Sequence, residues 1–257
     1  MLGMLRIAHR IRNRVAREVL RFREAQSDQR LLRSLDTIRA TPLTDLKNIE
    51  RVQEIVGSAG LAYDTRDVYG ADERCMNRVA RGLWQIPNQF ASLLVFLSDK
   101  EIHSILEIGT FTGYTFAVMM TYLTRFVPEA RGITADVDQS WSLKSACNGR
   151  FSARYVTGTS ELFLGERFDL VFIDGDHAYQ SVMQDYERVG RLARFCAFHD
   201  INDQNVEVYP GNELGVPRFW KEQILASGLL AHEFLYQSEG RRVMGIGVVE
   251  HQPAPNT

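Results

Sequence analysis

Two short apolar runs end in residues that can do chemistry. Leu170-Val171-Phe172-Ile173 is followed at once by Asp174-Gly175-Asp176-His177, and Phe195-Cys196-Ala197-Phe198 by His199-Asp200. Two carboxylates and an imidazole brought together can hold a divalent cation such as Mg2+, which makes Asp174, His199 and Asp200 a candidate metal set. An imidazole titrates near neutral pH, so His177 and His199 are candidate proton acceptors beside Asp174. The plainer alternatives are helix caps for the acids and a bond from His177 to a neighbouring carboxylate.

Three further groups follow the same pattern. Ser104–Ile108 runs into Gly109-Thr110-Phe111-Thr112-Gly113, an E-x-G-x-x-x-G turn that begins at Glu107. Gly109 permits a tight exit from a strand, and Gly113 opens a helix whose backbone N–H groups can face an anionic group. This spacing differs from the G-x-G-x-x-G of dinucleotide binders. Asp136 lies 29 residues after Glu107 at the end of Gly132–Asp136, where an acid can accept both hydroxyls of a ribose. Asp138 reads equally well as a helix cap. After Arg154–Thr157 come Gly158-Thr159-Ser160-Glu161, whose hydroxyls and acid can meet an adenine edge or cap a helix.

These residues need strands to carry them. Five β-rich runs (104–108, 132–136, 154–157, 168–174 and 195–199) alternate with helical stretches at about 113–126 and 179–192. Helix follows over 219–226, and two last strands over 232–237 and 243–249. Such alternation predicts an α/β fold, a largely parallel sheet with helices on both faces and a ligand site beyond the carboxyl ends of the strands.

Taken together, ILEIGTFTG, ITADVD, GTSE, FDLVFIDGDHAY, FHDI and the later GVPRFW resemble the class I S-adenosylmethionine (SAM) dependent methyltransferases. Within them the chain is similar to methyltransferase family 24 and the metal-dependent O-methyltransferases, over roughly residues 80–250. The resemblance implies a Rossmann-like sheet of seven strands, the last antiparallel. It implies that Glu107, Gly109, Thr110 and Gly113 shape the pocket for SAM, that Asp136 takes its ribose, and that Ser160 lies near its adenine. Asp174 falls beside both the cofactor and the cation of metal-dependent relatives, with Asp200 a second carboxylate. His199 stands where some relatives carry an acid, and Ile201 where catechol-type relatives carry an amide. Arg191-Leu192-Ala193-Arg194 replaces their Pro-Gly-Gly turn. The implied reaction is O-methylation of a small molecule or sugar hydroxyl. N-methylation of a small amine and a non-catalytic scaffold are the alternatives; the Asn-Pro-Pro-Tyr of amino-group methylases is absent, with Ile173-Asp174-Gly175-Asp176 in its place.

Composition narrows the partners. The chain has 257 residues, 45% of them hydrophobic, and a net charge of -2. That total hides a split. Residues 1–40 hold ten arginines, no lysine and four acids, a net of +6, while the remainder is acidic at -8. The acidic body argues against nucleic acid as a partner. Cys75, Cys147 and Cys196 are far apart and odd in number, so a reducing, cytoplasmic setting is expected. The longest apolar stretch, Ala91–Leu97, is too short to span a bilayer. Three segments are expected: a basic amphipathic helical extension over 1–60, a methyltransferase domain over 61–250, and a tail over 251–257. In the extension, Met4, Ala8, Ile11, Val15, Val19 and Phe22 recur at helical spacing among the arginines. Such a helix can lie on an anionic membrane through residues 1–24, cover the domain, or pair with a second subunit as a homodimer. The acceptor pocket is expected from residues 61–88 and the loop 202–216, with Tyr63, Tyr69, Trp84 and Tyr209 as candidate linings. The segment Leu83–Asn88 can close over it.

Overall fold

The structure is a computed structural model and describes residues 2–62, 73–138, 147, 149–202, 215–238 and 241–251. Tyr63, Tyr69 and Tyr209 lie outside the described residues.

The first helix, α1 (Leu2–Ala40), is continuous and ends where Thr41-Pro42 interrupts the pattern. A short 3-10 turn leads to α2 (Ile49–Ser58), whose N-cap Asn48 accepts the Arg51 N–H at 2.7 Å. Helix α3 (Pro87–Leu97) starts with proline in its first turn, where no N–H is needed, and is apolar nearly all round because it is buried. The sheet then builds from β1 (Ser104–Ile108), α4 (Tyr114–Phe126), β2 (Arg131–Asp136), β3 (Ser152–Thr157), β4 (Leu170–Ile173), α5 (Tyr179–Arg188) and β5 (Phe195–His199). Beyond it lie α6 (Gly215–Phe219), continued by a π turn (Trp220–Ile224) and a 3-10 turn (Leu225–Ser227), then β6 (Leu230–Ser238) and β7 (Arg241–Glu250). The helix expected over 219–226 thus begins at Gly215 and changes pitch twice.

The strand order is β3-β2-β1-β4-β5-β7-β6. The first five strands are parallel, and β7 inserts antiparallel between β5 and β6. Continuous apolar β4 takes the central place such a run requires. One core packs Leu31, Leu35, Val52, Phe90 and Phe116 onto one face of the sheet, and a second packs Val182, Phe198, Phe219 and Trp220 onto the other. From Ser27 onward α1 therefore shares its core with the sheet. Gly132 lets α4 sit close to β2: a Cβ there would lie 2.4 Å from Met120 Sδ. Gln89 of α3 fastens the end of the sheet, donating to Val243 O and accepting from Gly245 N, both at 3.1 Å. No helix among the described residues is long and apolar enough to cross a membrane.

Candidate functional site

The carboxyl ends of β1, β2, β3, β4 and β5 open on one cavity of 790 Å³, within the range of small-molecule sites, ~300–1,000 Å³. The loop after β1 forms its floor. Gly109 has φ +99°, and a Cβ there would fall 2.0 Å from Asp174 O, so the turn passes backbone against backbone under the tip of β4. Gly113 has φ +83° and precedes Tyr114, the first residue of α4.

Asp136 is fixed by that loop. Its Oδ2 accepts the Phe111 N–H at 2.7 Å and its Oδ1 the Asp138 N–H at 3.0 Å. Each oxygen keeps a lone pair for a ligand hydroxyl. Phe111 adopts φ +46° to make this bond, a left-handed conformation that disfavours an aromatic residue. Its exposed ring meets Trp84 edge-on at 5.9 Å, and both line the cavity.

Three sequence candidates do not line the cavity: Gly113, within the turn, and Glu107 and Ser160, which lie behind the wall. Glu107 is buried under the loop. Its Oε2 accepts the Thr134 hydroxyl at 2.6 Å, and Thr134 Oγ1 in turn accepts Thr110 at 2.5 Å. Burial pushes the Glu107 carboxyl well above the usual range, partly opposed by the Thr134 bond. Ser160 is fully buried and donates to Asp185 Oδ1 at 2.6 Å. Thr159, Asp185 and Arg188 face the cavity where Ser160 was expected, and Arg188 Nη1 reaches Ser160 Oγ at 3.3 Å. Thr110, Gly109 and Asp174 line the cavity, as do His177, His199 and Asp200.

Asp174, His177, His199 and Asp200 form one cluster, their ligand atoms all within 4.8 Å of each other. His199 Nδ1 lies 3.1 Å from Asp174 Oδ1 and 3.4 Å from Asp200 Oδ1, while His177 Nε2 lies 3.1 Å from Asp200 Oδ2 and 3.8 Å from Asp174 Oδ1. His177 thus joins the three residues expected as a metal set. Asp200 holds φ +61°, a strained conformation for a non-glycine residue at the end of β5. Burial alone would raise the Asp174 carboxyl, but His199 and His177 hold it down at about 2. Burial alone would lower His199, but the two carboxylates lift it well above its ordinary value.

The cluster fits a divalent cation. His199 Nε2 is buried without a hydrogen-bond partner, and the set combines two carboxylates with two imidazoles. Paired imidazoles suit Mn2+, Fe2+ or Zn2+ better than the all-oxygen preference of Mg2+.

Gln85 escaped the sequence reading. It is fully buried, and its Nε2 donates to Asp174 Oδ2 at 2.9 Å. These residues stand 89 apart in the chain, so no local spacing announces the pair. Ser181, Gln184, Asp185 and Arg188 also went unnoticed, although they recur at three- and four-residue intervals on one side of α5 and line the cavity.

Residues 106–201 match the model of a methyltransferase domain. The chain shares its fold with the O-methyltransferase TomG of Streptomyces achromogenes, involved in tomaymycin synthesis and solved in complex with SAM. The TM-score is 0.51 at 18% identity, over 66% of this chain and 82% of that one. An O-methyltransferase of Bacillus cereus in complex with SAH (S-adenosylhomocysteine) gives 0.49 at 19% identity, over 64% and 81%. A SAH-bound methyltransferase of Podospora anserina gives 0.45 at 16%, over 65% and 79%. No curated protein matches the chain.

Proposed function

We propose that this chain, whose residues 106–201 match a methyltransferase domain, transfers a methyl group from SAM to a hydroxyl of a small molecule or sugar. The observation that carries the reading is the placement of Asp136 and the four-residue cluster on the same cavity, one held by the β1 loop and the other by the tips of β4 and β5.

When bound, SAM supplies an electrophilic methyl on a sulfonium. Asp136 accepts the ribose hydroxyls with its remaining lone pairs, and the turn from Gly109 to Gly113 lets the backbone approach the amino-acid end. Thr159, Asp185 and Arg188 line the cavity and would take the adenine end. At the opposite end the cluster acts on the acceptor. A hydroxyl must lose its proton to attack, whereas a neutral amine already carries its lone pair; a group of two carboxylates and two imidazoles therefore suits oxygen better than nitrogen. A divalent cation held by Asp174, His199 and Asp200 would lower the pKa of that hydroxyl and leave His177 free to act as base. His177 is the more exposed imidazole and lies between the cluster and solvent, so it takes the proton as the carbon–oxygen bond forms and the carbon–sulfur bond breaks. Trp84 and Phe111 give the mouth an aromatic wall. Gln85 steadies Asp174 from below.

The test joins binding and turnover. Asp136→Ala abolishes SAM binding in calorimetry; unchanged affinity overturns the assignment. Labelled SAM offered with phenols, sugars and amines marks the hydroxyl class, and labelling confined to amines sinks the oxygen acceptor. Full activity in excess EDTA removes the cation.

A further inference from the structure

Helix α1 changes its apolar side along its length. In its second half Ser27, Leu31, Ser34, Leu35 and Ile38 are buried against the body. In its first half Val15, Val19 and Phe22 form a row that is 56%, 45% and 64% exposed, respectively. At ~100° per residue this row lies roughly 140° around the helix from the buried one. The two rows cannot face the same body, and residues 13–23 are exposed throughout. The row therefore does not serve to cover the domain.

Charge indicates what does meet it. The first 24 residues contain seven arginines, no lysine and two glutamates. By the same helical arithmetic Arg14 and Arg21 flank the apolar row on one side and Arg23 on the other, each roughly 70–130° away. Arginine stems placed so can run along an apolar boundary while their heads reach phosphates. A second copy of this helix laid against the first would set the arginine rows together, with Glu18 and Glu24 too few to neutralise them. Glu18 is already 3.8 Å from Arg21 of its own helix, and Glu24 is 3.9 Å from Arg81. An anionic surface gains from the same charges.

We propose that residues 14–23 of α1 form a docking surface for an anionic bilayer, with Val15, Val19 and Phe22 at the acyl boundary and the flanking arginines at the headgroups. The cavity opens at the strand tips, and α1 reaches the cavity wall through the bond from Tyr114 to Asp28. Docking thus holds the methyltransferase fold at a membrane surface without a spanning segment.

The experiment is flotation of the full chain with phosphatidylcholine vesicles, with and without phosphatidylserine. Wild type floats with the anionic vesicles and stays behind with the neutral ones. Val19→Glu combined with Phe22→Glu reduces the floated fraction about tenfold, as does Arg14→Ser combined with Arg21→Ser. These positions are exposed, so SAM affinity and thermal midpoint stay unchanged and report intact folding. Equal flotation with both vesicle types overturns the proposal, as does flotation that survives the glutamate pair. A wild-type dimer in sedimentation velocity that the glutamate pair dissolves, with no flotation, assigns the row to a second copy and overturns it too.

Discussion

Tyr114 Oη donates to Asp28 Oδ1 at 2.9 Å across 86 residues of chain. Arg81 Nη1 holds the other oxygen, Asp28 Oδ2, at 2.8 Å. The first residue of the helix after the Gly109–Gly113 turn is thereby anchored to α1, and a residue of the cavity wall depends on a part of the chain outside residues 106–201. Burial raises the Asp28 carboxyl, while Tyr114 and Arg81 pull it back.

Asp28→Ala frees the Tyr114 hydroxyl and leaves Arg81 without its nearest carboxylate. SAM affinity falls about tenfold, equivalent to ~1.4 kcal/mol. Tyr114→Phe gives a similar loss, and the double variant is no worse than the worse single one. Calorimetry on the four proteins checks this; additive losses would mean that the two residues act separately.

Gln85→Leu keeps volume but removes the donor to Asp174. A hydrogen bond to a charged group is worth ~1.5–3 kcal/mol, so turnover at saturating SAM drops about tenfold or more. SAM affinity changes less than about twofold, because Gln85 touches the cluster and not the β1 loop. A fall in affinity with turnover intact contradicts the role given to Gln85.

Two glycines separate steric from conformational cost. Gly109→Ala places a Cβ 2.0 Å from Asp174 O on a backbone of φ +99°, and Gly165→Ala places one in open space at φ +79°. Urea denaturation shows a loss of about 3 kcal/mol or more for Gly109 and ~1–2 kcal/mol for Gly165. Equal losses would deny the contact between turn and strand tip.

His251 gives a pH-dependent contribution. Its Nδ1–H donates to Ala193 O at 2.7 Å, and its Nε2 accepts from Tyr186 at 3.1 Å, the pattern of a neutral ring. Burial lowers its pKa, partly opposed by the Ala193 bond. A base depressed in the folded state is protonated first in the unfolded chain. Its stabilisation is therefore complete above the unfolded value of about 6.5 and is lost as pH falls through the folded one. The stability of wild type relative to His251→Phe declines from pH 7 to pH 5. A difference independent of pH contradicts the neutral ring.

The strand tips were legible because chemistry and secondary structure share one pattern there: an apolar run, then a polar residue. That pattern located Asp136, Asp174, His199 and Asp200, all of which border the cavity. It cannot tell a residue facing the cavity from one turned behind it, which is why Ser160 and Glu107 prove to lie behind the wall. Gln85 and Asp28 were illegible for a different reason. Each acts through a partner more than 80 residues away, and pairing at that range leaves no period in the chain. The exposed row on α1 was visible as a period, but its direction emerged only when the buried row beside it fixed the other side of the helix.

The place of β7 carries a consequence for synthesis. The fully buried β5 pairs with β7 on one side, and β6 pairs with nothing else in the sheet. As the chain leaves the ribosome, β6 precedes its partner β7, and β5 waits with an open apolar edge. Gln89 waits longer, holding its amide for residues 243 and 245. The nascent protein can assemble five parallel strands early, but the sheet is sealed only when the final strand slides between two that were made before it.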